Sequence, residues 1–219
     1  MPALLLDLDG TMLDTDRIHC AVFADLMSPF GIAVDEAHYR AHIHGRLNAD
    51  YFAEMIPDHP DPRGLSVEKE ARFRRRLPRP YPAMPGVAAM LERARDEGWA
   101  LAVVTNAPPE NADAMLSAIG LRHHFEVVVS GEACPRGKPF PDPYLAALDA
   151  LGVAAAEALA FEDSPSGLAA AVAAGIATVG VTSTLTAADL LALGARATIT
   201  DFTDPALAPL LDRLKGVPA

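Results

Sequence analysis

The chain predicts an α/β fold: a doubly wound parallel sheet with a helical segment inserted near its start. Three observations carry this. Residues 3–8 form a nearly continuous apolar run, the pattern of a strand buried on both faces. From residue 83 onward, strand-sized apolar runs alternate with helical patterns, which implies βαβ crossovers. Between these parts lies a stretch of helical character that ends in a run of prolines.

Taken in order, the first strand runs from Ala3 to Leu8 and is broken by Gly10. A long helical stretch follows, interrupted by the turn-rich Pro57-Asp58-His59-Pro60-Asp61-Pro62-Arg63-Gly64. Ser66 is the expected N-cap of a helix reaching Leu77. Pro78, Pro80, Pro82 and Pro85 then prevent regular helix and mark a stiff connection. Val87, Met90, Leu91 and Ala94 recur at helical spacing on one face. Strands are expected at Ala100–Thr105, Glu126–Ser130, Ala158–Phe161 and Ala177–Thr182. Helices separate them at Glu110–Ile119, Asp142–Leu151 and Pro165–Ala174, the last closed by Gly175. On this reading residues 1–14 and 83–219 form the core, and residues 15–82 a separate helical domain.

At 219 residues and 51% hydrophobic, the chain has material for one sizeable core and a smaller appended domain. Its apolar runs fall short of the ~20 residues that span a bilayer. Asp7 and Asp9 interrupt the N-terminus before a signal-peptide core can form, so no membrane association is expected. Cys20 and Cys134 are too few for a disulfide framework, and the expected compartment is a reducing cytoplasm. A net charge of −11 disfavours nucleic acid as a partner. Residues 15–82 hold ten basic and ten acidic side chains, so the remainder carries the whole excess, 8 basic against 19 acidic. A monomer acting on a small molecule is the default expectation.

Asp7 and Asp9 lie two apart where strand becomes loop, on one face. Such a pair repels itself unless a cation or a shared proton relieves it. Mg2+ suits an all-oxygen site of this kind. Other expected strand ends carry Thr105 with Asn106, Lys138 just beyond the third strand, and Glu162 with Asp163. Open α/β sheets bind ligands at the carboxyl ends of their strands, so these groups are expected to share one site.

The run Asp7-Leu8-Asp9-Gly10-Thr11-Met12-Leu13-Asp14 resembles the first motif, D-x-D-G-T-x-x-D, of the haloacid dehalogenase-like (HAD) superfamily of phosphotransferases. Three further motifs follow in order: Thr105 at a strand end, Gly137-Lys138-Pro139-Phe140-Pro141-Asp142 against K-P-x-P-D, and Glu162-Asp163-Ser164-Pro165. The resemblance covers nearly the whole chain and implies a Rossmann-like core carrying an inserted helical cap. It also implies roles. Asp7 would be the nucleophile that becomes an aspartyl-phosphate, and Asp9 the general acid and base. Thr105 would hydrogen-bond a phosphoryl oxygen, with Asn106 helping to orient the substrate. Lys138 would offset the charge of Asp7 and the phosphate. Mg2+ would be held by Asp7, the Asp9 backbone carbonyl, Asp163 and Glu162, the last directly or through water.

The cap resembles that of the β-phosphoglucomutase/phosphoglycolate phosphatase-like group. His19 and Lys69 fall at matching places, with Gly45 and Arg46 of His44-Gly45-Arg46-Leu47-Asn48 as further substrate contacts. Where the mutase presents Lys then Arg around the cap glycine, this chain does not, which weakens the grip on a second phosphate. The expected function is therefore a Mg2+-dependent phosphatase for small phosphorylated metabolites, sugar phosphates first among them. A phosphomutase is the alternative, and a non-catalytic phosphate-binding module a more remote one. Arg72, Arg74, Arg75, Arg76 and Arg79 read as a solvated helix face in preference to an anion-attracting patch.

Overall fold

Strand β1 (Ala3–Leu6) has no solvent exposure at any residue, and each of its leucines contributes about 1.5–3 kcal/mol by leaving water. In this computed structural model, which describes residues 1–44, 46 and 48–215, β1 lies in the middle of a six-stranded sheet. The other strands are β2 (Ala100–Thr105), β3 (Val127–Ser130), β4 (Ala158–Glu162), β5 (Ala177–Val181) and β6 (Ala197–Ile199). Every pairing is parallel and the order is β3-β2-β1-β4-β5-β6. This is a doubly wound order, and the winding reverses between β1 and β4. The expected fold class is borne out.

Helices α5 (Val87–Asp96), α6 (Pro109–Ala118), α7 (Asp142–Leu151), α8 (Pro165–Ala173), α9 (Ala187–Ala192) and α10 (Leu207–Lys215) belong to the same part of the chain. Alternate strand residues Ala3, Leu5, Ala102, Val104, Ala158 and Ala160 form one face of the sheet. They pack with Tyr144, Ala147 and Leu148 of α7 and with Ala170 and Ala171 of α8. The small side chains on both sides let these helices approach closely. Leu4, Leu6, Val103 and Phe161 point to the opposite face and are equally buried. Strand β6 and helices α9 and α10 were not anticipated; each is short, and β6, Ala-Thr-Ile, has no apolar run to announce it.

The chain divides into two compact units, Met1–Asp14 with Arg79–Ala219, and Thr15–Pro78. The second contains α1 (Asp16–Met27), α2 (Glu36–His42), α3 (Asn48–Met55) and α4 (Pro62–Arg76). Its core is aromatic. Phe23 packs edge-on against Tyr51 at 5.5 Å and lies 5.5 Å from Phe52, with Phe73 also fully buried. Ser66 does not cap α4, contrary to expectation. Pro62 opens the helix, and the Asp61 side chain accepts the Gly64 N–H at 2.8 Å, while the Ser66 hydroxyl donates to Pro62 O inside the first turn. Among the described residues, no helix is long and apolar enough to cross a membrane.

Candidate active site

Asp7 directly follows β1, and its N–H donates to Phe161 O at 3.0 Å, extending the pairing with β4 by one residue. Its carboxylate thus emerges beside Glu162, the last residue of β4, and Asp163 just beyond it. One ligand oxygen from each of the three lies within 4.8 Å of the others, and all three residues are buried. The winding reversal that puts β1 next to β4 is therefore what brings these acids together.

Lys138 enters from the loop after β3. That loop is tied at two points: Arg136 bonds Asp142 at 2.9 and 3.3 Å, and the Asn106 amide brackets the Lys138 backbone. Asn106 Oδ1 accepts the Lys138 N–H at 2.9 Å and its Nδ2 donates to Lys138 O at 3.0 Å. The ammonium then donates to Asp7 Oδ1 at 2.6 Å, Glu162 Oε1 at 2.6 Å and Val104 O at 2.7 Å. Three protons meet three acceptors, so this buried cation is fully hydrogen-bonded.

Charge decides what else the site accommodates. Three carboxylates around one ammonium leave an excess of two negative charges, buried where each ion costs several kcal/mol to desolvate. Burial pushes the Asp7 carboxyl up to about 7 against the pull of Lys138, with Glu162 adding to the rise. Asp163 is also pushed well up, by burial first and then by the charges of Asp7 and Glu162. Lys138 is raised as well: burial disfavours its charge, but the two carboxylates outweigh that and keep it above its usual value. A divalent cation with oxygen preference fits this donor set in both charge and chemistry.

Glycine supplies the room at two points. Gly10 has φ +87°, and a Cβ there would sit 2.1 Å from Asp163 Oδ2. A Cβ on Gly167, in the first turn of α8, would lie 1.8 Å from Glu162 Oε2.

A haloacid dehalogenase-like hydrolase profile matches residues 4–181, from β1 through β5. The chain belongs to the haloacid dehalogenase-like hydrolase family. The CbbY protein of Cupriavidus necator is 33% identical over 94% of this chain and 87% of its own length. The fructose-1-phosphate phosphatase YqaB of Escherichia coli is 31% identical over 81% of this chain and 95% of its own. A solved structure of a CbbY variant from Rhodobacter sphaeroides with xylulose-(1,5)bisphosphate superimposes with a TM-score of 0.81, at 26% identity, over 92% of this chain and 95% of that one. This haloacid dehalogenase-like hydrolase is an enzyme, a phosphoric monoester hydrolase of its family.

Of the expected site residues of this hydrolase, Asp7, Lys138 and Glu162 form one bonded cluster with the Asp163 carboxylate beside it, and Asn106 joins it through the Lys138 backbone. Thr105 is buried at the end of β2, where its hydroxyl oxygen accepts the Ala107 N–H at 3.1 Å. Asp9 is half-buried in the loop after β1, and its carboxylate lies outside the three-acid cluster. In the helical unit, the His19 ring stacks on Phe73 at 4.0 Å, and Lys69 Nζ pairs with Glu70 at 2.9 Å, above the Phe23 and Phe73 rings. Asn48 donates to the same Glu70 oxygen at 2.5 Å. Arg46 is directed to Glu54 at 2.6 Å and His42 O at 3.1 Å, while Gly45 lies outside the described residues.

Sequence reasoning missed four hydrogen-bonding groups around the site, three of them bonded to its acids. Thr11 Oγ1 donates to Asp163 Oδ1 at 3.4 Å, and the Thr184 hydroxyl donates to Asp163 Oδ2. Ser183 donates to Gly10 O, and Tyr144 OH donates to Glu162 Oε1 at 2.6 Å. Only Thr11 carried a signal, as part of the first motif; the others sit in segments whose pattern reads as core helix or loop.

Proposed function

We propose that this enzyme is a Mg2+-dependent phosphatase of small phosphorylated metabolites, sugar phosphates first among them, working through an aspartyl-phosphate on Asp7. The observation that carries the reading is the Lys138 ammonium bridging Asp7 and Glu162 beside Asp163, with two negative charges in excess. Relatives named as phosphatases of fructose 1-phosphate, of validoxylamine A 7'-phosphate and of phosphorylated carbohydrates support the substrate class.

Asp7, the Asp9 backbone carbonyl and Asp163 are the groups that would hold Mg2+, with Glu162 a fourth candidate, and the bound ion supplies positive charge to the phosphoryl oxygens and to the nucleophile. Lys138 keeps one Asp7 oxygen fixed, which orients the other for in-line attack on phosphorus. As the Asp7 oxygen–phosphorus bond forms, the ester oxygen–phosphorus bond breaks, and Asp9 delivers its proton to the departing oxygen. Asp9, now ionised, takes a proton from water, whose oxygen attacks phosphorus and releases inorganic phosphate and free Asp7. Thr105 and Lys138 stabilise the negative charge spread over the phosphoryl oxygens. By the family resemblance, the helical segment 15–82 would supply substrate contacts, with His19, Lys69, Arg46 and Gly45 the candidates.

Phosphate release from a panel of sugar phosphates, phosphoglycolate and nucleotides tests this, with Mg2+, with EDTA, and with Asp7→Asn. The expected result is release that needs Mg2+ and falls by at least ~10^3-fold in Asp7→Asn. Glucose 6-phosphate accumulating from β-glucose 1-phosphate, without free phosphate, would replace the phosphatase by a phosphomutase.

A further inference from the structure

Glu162 is completely buried, and its two oxygens are treated differently by the protein. Oε1 accepts both Lys138 Nζ and Tyr144 OH, each at 2.6 Å. Oε2 has the Ser164 hydroxyl at 3.4 Å and lies over Gly167, the one residue type that leaves it space. Tyr144 is itself fully buried on the first turn of α7, and the Lys138 ammonium rests 5.3 Å from its ring centroid. A tyrosine ring supplies core volume without its hydroxyl, and a buried hydroxyl costs free energy unless it is bonded. Here the bond is made to a carboxylate that also grips the ammonium held against Asp7.

We infer that Tyr144 is a positioning residue: through Glu162 it holds Lys138 against Asp7, and Glu162 is thereby committed as the counter-ion of that ammonium and is not a direct ligand of the metal. The inference rests on the function proposed above and sharpens it. Charge bookkeeping agrees with it. Glu162 and Lys138 cancel, and the two charges left, on Asp7 and Asp163, match one divalent cation. With two strong donors on Oε1, rotation of the carboxylate toward a cation would break both bonds at once. Removing the phenolic hydroxyl removes one of them, and lets Glu162 turn and draw Lys138 from its place on Asp7.

The test uses the full chain as wild type, Tyr144→Phe, Glu162→Gln and the double variant. Hydrolysis of p-nitrophenyl phosphate at saturating Mg2+ gives kcat and KM, and calorimetric titration with MgCl2 gives the metal affinity without substrate. Tyr144→Phe is expected to lower kcat about tenfold at nearly constant KM, and to bind Mg2+ no more weakly than wild type. In the Glu162→Gln background the same change is expected to alter kcat by less than about twofold, because the partner through which it acts is already neutral. Glu162→Gln itself is expected to keep Mg2+ affinity within about threefold. An equal loss from Tyr144→Phe in both backgrounds would overturn the positioning role. A Glu162→Gln protein that no longer binds Mg2+ would overturn the counter-ion assignment, and this titration stands whether or not the Tyr144 variant folds. Failure of the proposed function looks different: wild type itself would release no phosphate from any ester.

Discussion

Glu70, half-buried, and Asp7, buried, are both acids beside a lysine, yet their carboxyl groups shift in opposite directions. At Glu70 burial alone would raise the pKa, but Lys69, the nearby His19 and hydrogen bonds from Lys69 and Asn48 together outweigh it, so the group lies below its ordinary 4.5. At Asp7 burial wins over Lys138, because Glu162 adds a like charge and shares the same ammonium. The sign of a shift thus follows the balance of donors against like charges, with burial common to both. For Glu70 the consequence is a pH-dependent contribution to stability. A carboxyl depressed in the folded state stabilises fully above its unfolded value, and that contribution is lost as pH falls through the folded one. Glu70→Gln is expected to be less stable than wild type at pH 7, and the gap to close as pH falls below about 4. Urea denaturation of both proteins at a series of pH values measures it; a gap that stays constant would mean the carboxylate charge contributes nothing.

At the scale of elements, local rules account for most of what formed. Strands β1, β2 and β4 are apolar on both faces because helices cover both, so each reads as a continuous run. Helix α7 spans Asp142–Leu151 as its periodicity requires. The start of α4 misleads because two cap-competent residues, Asp61 and Ser66, lie five apart in a proline-rich stretch. Pro62 decides between them: its fixed φ suits the first helical position, and Asp61 is then the residue whose side chain reaches the free N–H of Gly64. Asp61→Ala is expected to destabilise the protein by about 1 kcal/mol, and Ser66→Ala by less than about 0.5 kcal/mol. Chemical denaturation distinguishes the two; equal losses would mean the Asp61 cap carries no energy. At the site, Asp7, Glu162 and Asp163 were legible as acids at the ends of apolar strands, and Lys138 through its proline-flanked motif and the family resemblance. Tyr144 and Thr184 were not. A tyrosine on the apolar face of a helix reads as packing, and a threonine in a loop reads as a turn, until the acid each one serves is brought to it.

Across the whole molecule the acidic excess is uneven. Outside residues 15–82, 8 basic side chains face 19 acidic ones, and a phosphate ester approaching the catalytic unit is itself an anion. Repulsion of this kind acts over the Debye length, about 30 Å at 0.01 M salt and about 8 Å at 0.15 M. At fixed free Mg2+, kcat/KM for a phosphate monoester is therefore expected to rise as NaCl is raised from 10 to 150 mM, by about two- to threefold. A steady fall with salt would mean that cations close to the site, Lys138 foremost, set the encounter.

Residue order alone determined the sheet class, most strand and helix limits, the acidic and lysine motifs, and the charge asymmetry. These depend on neighbours within a few positions, where periodicity, glycine and proline act directly. Tertiary structure decided the rest. Lys138 meets Asp7, Val104 and Glu162 from 131, 34 and 24 positions away, and Tyr144 meets Glu162 from 18. Which carboxylate oxygen accepts which proton depends on the strand order and on how α7 packs against the sheet. No local pattern encodes that, because the bond exists only once the chain has closed around it.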